Sequence, residues 1–262
     1  MSSSDDKGGS VAPLEKGIER LLTVQRPLVL AHVRSIRKQH PNASPERIIR
    51  LMERRYLAMV TSGGAAVGAS AVIPGIGFGV SLALSGAETA GFLAASALFA
   101  QSVTEVHGIA VTDPERARTL VMAMMLGTAG SDLVRQLAAQ AGGTGPSRNS
   151  FWGELVTKNL PKAAMGKISD RMKHAFVRRF AAAQGATVLG RAIPFGVGAV
   201  VGATGNHLLG RRVITSSRQA FGAAPAAFPV ELEPRAHPDE PKDRRLIARL
   251  WSSKRQNDSD DS

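Results

Sequence analysis

Between Arg55 and Glu88 the chain carries no Asp, Glu, Lys or Arg, and small residues fill most of the interval. At its centre stands Val72-Ile73-Pro74-Gly75-Ile76-Gly77-Phe78-Gly79. A proline without an N–H, set among glycines that relax the backbone, turns such a run back on itself. Leu57 to Gln101 is therefore predicted to form two tightly packed helices with a reversal at Pro74. The same cadence returns as Ala192-Ile193-Pro194-Phe195-Gly196-Val197-Gly198, so a second hairpin is expected there. Beyond it Gly198, Gly202, Asn206 and Gly210 recur every four residues. That spacing leaves one helix face nearly free of side chains and lets another backbone come close. Gly64 with Gly68, and Gly75 with Gly79, supply a matching face in the first hairpin. Pro74, Gly75, Gly79, Pro194, Gly198 and Gly202 are thus the candidate packing residues. The two Ile-Pro turns are expected to meet at the centre of one all-α domain, a single helical bundle built around two Gly/Ala-rich apolar hairpins.

The flanking sequence sets the remaining boundaries. Residues 1–12 are polar and expected to be disordered, residues 13–222 to form the helical domain, and residues 223–262, rich in proline, charge and serine, to form a disordered tail. Within the domain, two half-repeats are read at about 45–140 and 151–222. A helix break is placed at Pro27. Ser44-Pro45-Glu46 and Asp113-Pro114-Glu115 each combine a polar cap, a proline in the first turn, where a missing N–H costs nothing, and an acid that suits the helix dipole. Gly127 and Gly130 should interrupt the helix after Asp113. Ile168, Met172, Phe176 and Phe180 lie four residues apart, the apolar stripe of a helix whose other faces are basic.

The 262 residues carry a formal charge of +12 and no cysteine. Thiol catalysis, disulfides and thiolate metal sites are excluded, and anionic partners will be attracted. The opening Met1-Ser2-Ser3-Ser4-Asp5-Asp6 lacks the basic and then apolar start of a secretory signal, which predicts a cytoplasmic protein. Nucleic acid is a partner the charge admits. Yet aromatic residues make up only 5% of the chain, and no recognition helix or RNA-binding signature supports that reading. A membrane span needs about twenty mostly apolar residues, and Leu57 to Ile73 or Ile76 to Ala87 are borderline in length and diluted by Gly, Ser and Thr. Peripheral attachment is therefore the reading, with an integral hairpin as its alternative.

Motifs for chemistry fail one by one. Gly185 to Ala192 has the glycine spacing of a phosphate-binding loop but places Arg191 and Ala192 where lysine and a hydroxyl are needed. The Gly75, Gly77, Gly79 cluster lacks the order of a dinucleotide site. The six histidines show no metal-ligand pairing. No catalytic, cofactor or metal residue is assigned, and no small-molecule substrate is identifiable. Three residues remain as candidate polar contacts. Glu88 stands in a stretch where an ionised carboxylate must be paired or neutralised if buried; it either meets His207 or Arg191 of the second hairpin, or faces water or fixes the helix register. His107 ends a helix, where an imidazole can bond free carbonyls.

Val106-His107-Gly108, Thr112-Asp113-Pro114-Glu115-Arg116, the preceding apolar hairpin, and Ile193 to Gly198 with Gly205-Asn206-His207 resemble the EcsC family over about residues 45–222. The resemblance implies an all-helical bacterial protein, often treated as membrane-associated, named for a protein encoded beside an ABC transporter. It implies no catalytic residues.

The functional expectation is a non-enzymatic helical accessory protein on the inner face of the cell membrane, drawn to anionic phospholipid or to a membrane protein such as a transporter. The alternative is a soluble basic protein that binds nucleic acid or an acidic protein. In the tail, Leu246, Ile247, Leu250 and Trp251 form one apolar stripe flanked by Arg245, Arg249 and Lys254 within residues 243–255. Such a segment suits a bilayer interface, and equally suits docking on the protein's own helices.

Overall fold

In a computed structural model of the chain, the structure describes residues 11–70, 78–142, 151–154, 156, 162–191 and 197–233. Helices α1 (Val11–Leu22), α2 (Arg26–Gln39), α3 (Pro45–Ser70), α4 (Phe78–Val106) and α5 (Pro114–Leu126) come first. They are followed by α6 (Thr128–Gly142), a short α7 (Trp152–Glu154), α8 (Lys162–Arg191), α9 (Val197–Phe221) and a 3-10 turn at Val230–Leu232. No strand occurs among the described residues, and the fold is all-α.

The helix starts follow the capping chemistry. Asp113 Oδ1 accepts from the Glu115 backbone N–H at 2.9 Å, with Pro114 in the first turn. At α3 the Arg47 N–H donates to Ser44 Oγ at 3.3 Å. Pro27 lies in the first turn of α2 and so marks a start, the break falling just before it. Gly127 ends α5 with φ of 68°, a conformation that side chains disfavour, and α6 begins at the next residue. Gly130 then lies so close to the Ala123 carbonyl that a β-carbon would collide with it.

The core gathers around α3, α4 and α9. Tyr56 on α3 stacks on Phe99 of α4, with centroids 4.7 Å apart, and its hydroxyl lies 2.8 Å from Ser96 Oγ. Burial pushes the phenol's pKa up, well beyond its ordinary value. Between α3 and α9 the approach is closer. A β-carbon on Gly64 would stand 2.5 Å from the Gly202 carbonyl oxygen, and one on Gly202 would stand 2.5 Å from that of Gly64. Gly210, two turns on, meets Leu57 and Val60. Residue numbers rise along α3 as they fall along α9, so the two helices run antiparallel. On the far side Ile168, Met172 and Phe176 are buried, and α8 packs on α5. Each such side chain withdrawn from water is worth about 1.5 to 3 kcal/mol.

Three expectations need adjustment. The half-repeats do not pack as two equivalent hairpins: α9 makes its most extensive contact with α3, and only a small one with α8. The folded unit also runs ten residues past the expected boundary at 222, to Leu232. Leu232 is fully buried, Arg37 stacks 3.9 Å over the Phe228 ring, and the guanidinium groups of Arg34 and Arg37 donate to the carbonyl oxygens of Glu231 and Leu232. One buried leucine, one aromatic ring and two arginines order a segment that proline-rich composition suggested was unstructured. At the other end α1 begins at Val11, inside the expected N-terminal tail. Pro74, Gly75 and Pro194 lie outside the described residues, while Gly79 and Gly198 fall in the first turns of α4 and α9.

Candidate functional site

Glu88 of α4 meets α9 where the glycine faces of α3 and α9 cross. Asn206 sits between Gly202 and Gly210 on the α9 face that meets α3. Its amide Nδ2 donates to the Val60 carbonyl of α3 at 3.0 Å and to Glu88 Oε1 of α4 at 2.9 Å. One side chain therefore ties all three core helices, and Glu88 is half-buried with a partner from the second hairpin. That partner is the residue before His207; the side chain of Arg191 lies outside the described residues. His207 itself turns toward α3, with Nδ1 3.3 Å from Thr61 Oγ1. A hydrogen bond to a charged acceptor contributes about 1.5 to 3 kcal/mol. The group reads as a clasp between helices.

His107 serves the opposite end of the core. Its ring stacks on Phe221, the last residue of α9, at 5.1 Å between centroids, and burial lowers its pKa to about 4. The imidazole is neutral at physiological pH and acts as an aromatic plate. The motif after it is equally architectural. Gly108 takes φ of 71°, Ile109 is buried, Asp113 caps α5, and Arg116 Nη1 donates to the Val156 carbonyl at 2.9 Å.

Two buried carboxylates went unremarked in the sequence. Glu53 of α3 receives both Nε and Nη2 of Arg218 on α9, at 2.8 and 2.6 Å. Glu105 of α4 receives both Nε and Nη2 of Arg26 on α2, at 2.6 and 3.1 Å. Each looks like an ordinary surface acid in a helical sequence. The available signal was that each falls in line with apolar residues of its own helix, Glu53 with Ile49, Tyr56 and Val60, and Glu105 with those of α4. A third acid, Glu19 on α1, lies 2.9 Å from Lys173 Nζ and 3.7 Å from Arg118 Nη1. The hydrogen bond from Lys173 holds its carboxyl below the usual range. These groups edge a cavity of about 110 Å³ between α1, α5 and α8. Sites for small molecules usually enclose about 300 Å³ or more, so this one suits a few waters.

Among the described residues no group of three or more His, Asp or Glu could hold a metal ion, and no helix is long and apolar enough to cross a membrane. Arg245, Leu246, Ile247, Leu250 and Trp251 lie outside the described residues. Searches of protein-family models, curated proteins and solved structures found no match to this chain.

Proposed function

We propose that this chain is a non-enzymatic helical interaction protein, attached peripherally to the inner face of the cell membrane, held there by anionic lipid and serving transport machinery as an accessory. Membership of the EcsC family is part of the same proposal. One observation carries it: on the described α-helices exposed cations outnumber the exposed acids, which are Glu46, Asp132 and Asp170. Glu53 and Glu105 are buried and bound within the core. Arg47 and Arg54 on α3, Lys167, Arg171, Arg178 and Arg179 on α8, and Arg211 and Arg212 on α9 are all exposed. An anionic surface therefore meets arginine and lysine over much of the molecule, and each basic residue near such a surface contributes about 1 kcal/mol.

Co-sedimentation of the full chain with phosphatidylglycerol-containing and pure phosphatidylcholine vesicles tests the reading. Binding to the anionic vesicles alone, weakened by salt, is the expected result. A variant ending at Pro241 keeps the folded unit through Leu232 and measures what residues 243–255 add. No binding to either vesicle, together with a salt-sensitive gel shift on nucleic acid, would replace this reading with the nucleic-acid one.

A further inference from the structure

The three helices clasped by Asn206 lose their charges together. α3 has no charged residue after Arg55, α9 has none before Arg211, and α4 has only Glu88 before Glu105. The Gly64–Gly202 and Val60–Asn206 contacts set α9 antiparallel to α3. Tyr56 with Ser96, and Val60 with Glu88 through Asn206, set α4 antiparallel to α3 as well. The uncharged lengths consequently fall at one end of the core.

That end is not covered by the rest of the described fold. On α3, Ala58, Met59, Ser62 and Ala66 are exposed; on α4, Gly86, Ala87 and Gly91; on α9, Thr204, Gly205 and Leu208. Met59 is 52% and Leu208 62% exposed. None of these ten residues is charged, and the one acid nearby, Glu88, is bonded to Asn206. About one helical turn back, Arg54 and Arg55 on α3 and Arg211 and Arg212 on α9 are all exposed. The antiparallel pairing brings these four cations to one height. From Arg55 to Ala66 the helix rises about 16 Å at 1.5 Å per residue. That is near half the ~30 Å hydrocarbon core of a bilayer.

We infer that this uncharged end of α3, α4 and α9 enters the near leaflet of an anionic bilayer, with Arg54, Arg55, Arg211 and Arg212 forming a collar at headgroup height. The inference rests on the peripheral-membrane reading and adds which end of the domain touches lipid. The occupant follows from the two zones together: uncharged exposed surface to a depth of one leaflet, and guanidinium groups where phosphates lie.

The absence of cysteine makes the test direct. Ser62→Cys and Leu208→Cys, with Ser35→Cys on α2 and Gln136→Cys on α6 as controls, each carry one nitrobenzoxadiazole probe on an exposed position of the full-length chain. With anionic vesicles, the probes at 62 and 208 should shift to the blue, brighten, and be quenched by nitroxide-labelled lipid; those at 35 and 136 should not change. Vesicle binding with the 62 and 208 probes still in water, or with the control probes entering instead, overturns this assignment and leaves the peripheral reading intact. Failure to bind vesicles at all overturns both. Arg54→Gln and Arg211→Gln, at exposed sites, should each weaken vesicle affinity about fivefold. Unchanged affinity in the double variant would remove the collar.

Discussion

At the Gly64–Gly202 crossing α3 and α9 touch backbone to backbone, whereas further along the same helix pair Glu53 meets Arg218 in a doubly bonded ion pair. The first contact is limited by volume. Nothing flexible stands between the two chains, so neither side can yield to an added side chain. The second is limited by charge, and it has slack, because the Arg218 side chain is 64% exposed and can turn to water. The same contrast extends to the neighbouring helices: the uncharged end is fastened by Asn206, and the charged end also holds the Arg26–Glu105 pair and the neutral His107 stacked on Phe221. Shape therefore governs one end of the core and charge the other.

The largest effect should come from filling the crossing. Gly202→Leu forces α3 and α9 apart and is expected to cost about 3 kcal/mol or more, at or above the upper end of overpacking penalties, since the obstacle is backbone. Urea denaturation with an unchanged midpoint would mean that the helices do not cross there. Glu53→Gln should cost less, about 1 to 2 kcal/mol, because one bond to Arg218 survives and the arginine regains solvent. If it proved as costly as Gly202→Leu, the two ends would not differ as described. The last effect, similar in size to that of Glu53→Gln, is one of pH. His107 has a folded pKa of about 4, below the ordinary 6.5, because burial disfavours the charged ring. The unfolded chain thus binds more protons between those values, so stability is complete above about 6.5 and falls as the pH drops toward 4. Allowing for the ring's partial exposure, the loss is about 1 to 2 kcal/mol. His107→Phe should flatten that part of the stability profile, and a profile that keeps its slope would exclude His107 as the source.

Local rules carried the helix boundaries. Ser44-Pro45 and Asp113-Pro114 cap where their chemistry says they should, and the four-residue rhythm of Gly202, Asn206 and Gly210 does mark a close-approach face. What that rhythm does not encode is the partner. Two glycine faces fit each other equally well within a hairpin or between hairpins, and Asn206 decides the matter only once Val60 and Glu88 are beside it. The Phe228–Leu232 segment was hidden for a related reason. Its order comes from Arg34 and Arg37, almost two hundred residues away, which look in sequence like the solvated face of a basic helix. Glu53 and Glu105 show the same limit, since a carboxylate's burial depends on where its arginine arrives. The candidate site followed suit: Glu88 and His207 were legible as residues needing partners, and the identity of those partners was not.

The α3–α9 crossing also has a consequence in time. Tyr56 and Ser96 are 40 residues apart, while Val60 and Asn206 are separated by 146. Closing the longer loop costs about 1 kcal/mol more in chain entropy. The larger penalty falls during synthesis. At roughly 5 to 20 residues per second, α9 leaves the ribosome about 7 to 30 s after the centre of α3. Through that interval α3 and α4 can pair, but the glycine-lined side of α3 has nothing to lie against. The order in which the helices are translated therefore sets the earliest moment at which the core can close, and the nascent chain holds an open seam until α9 arrives.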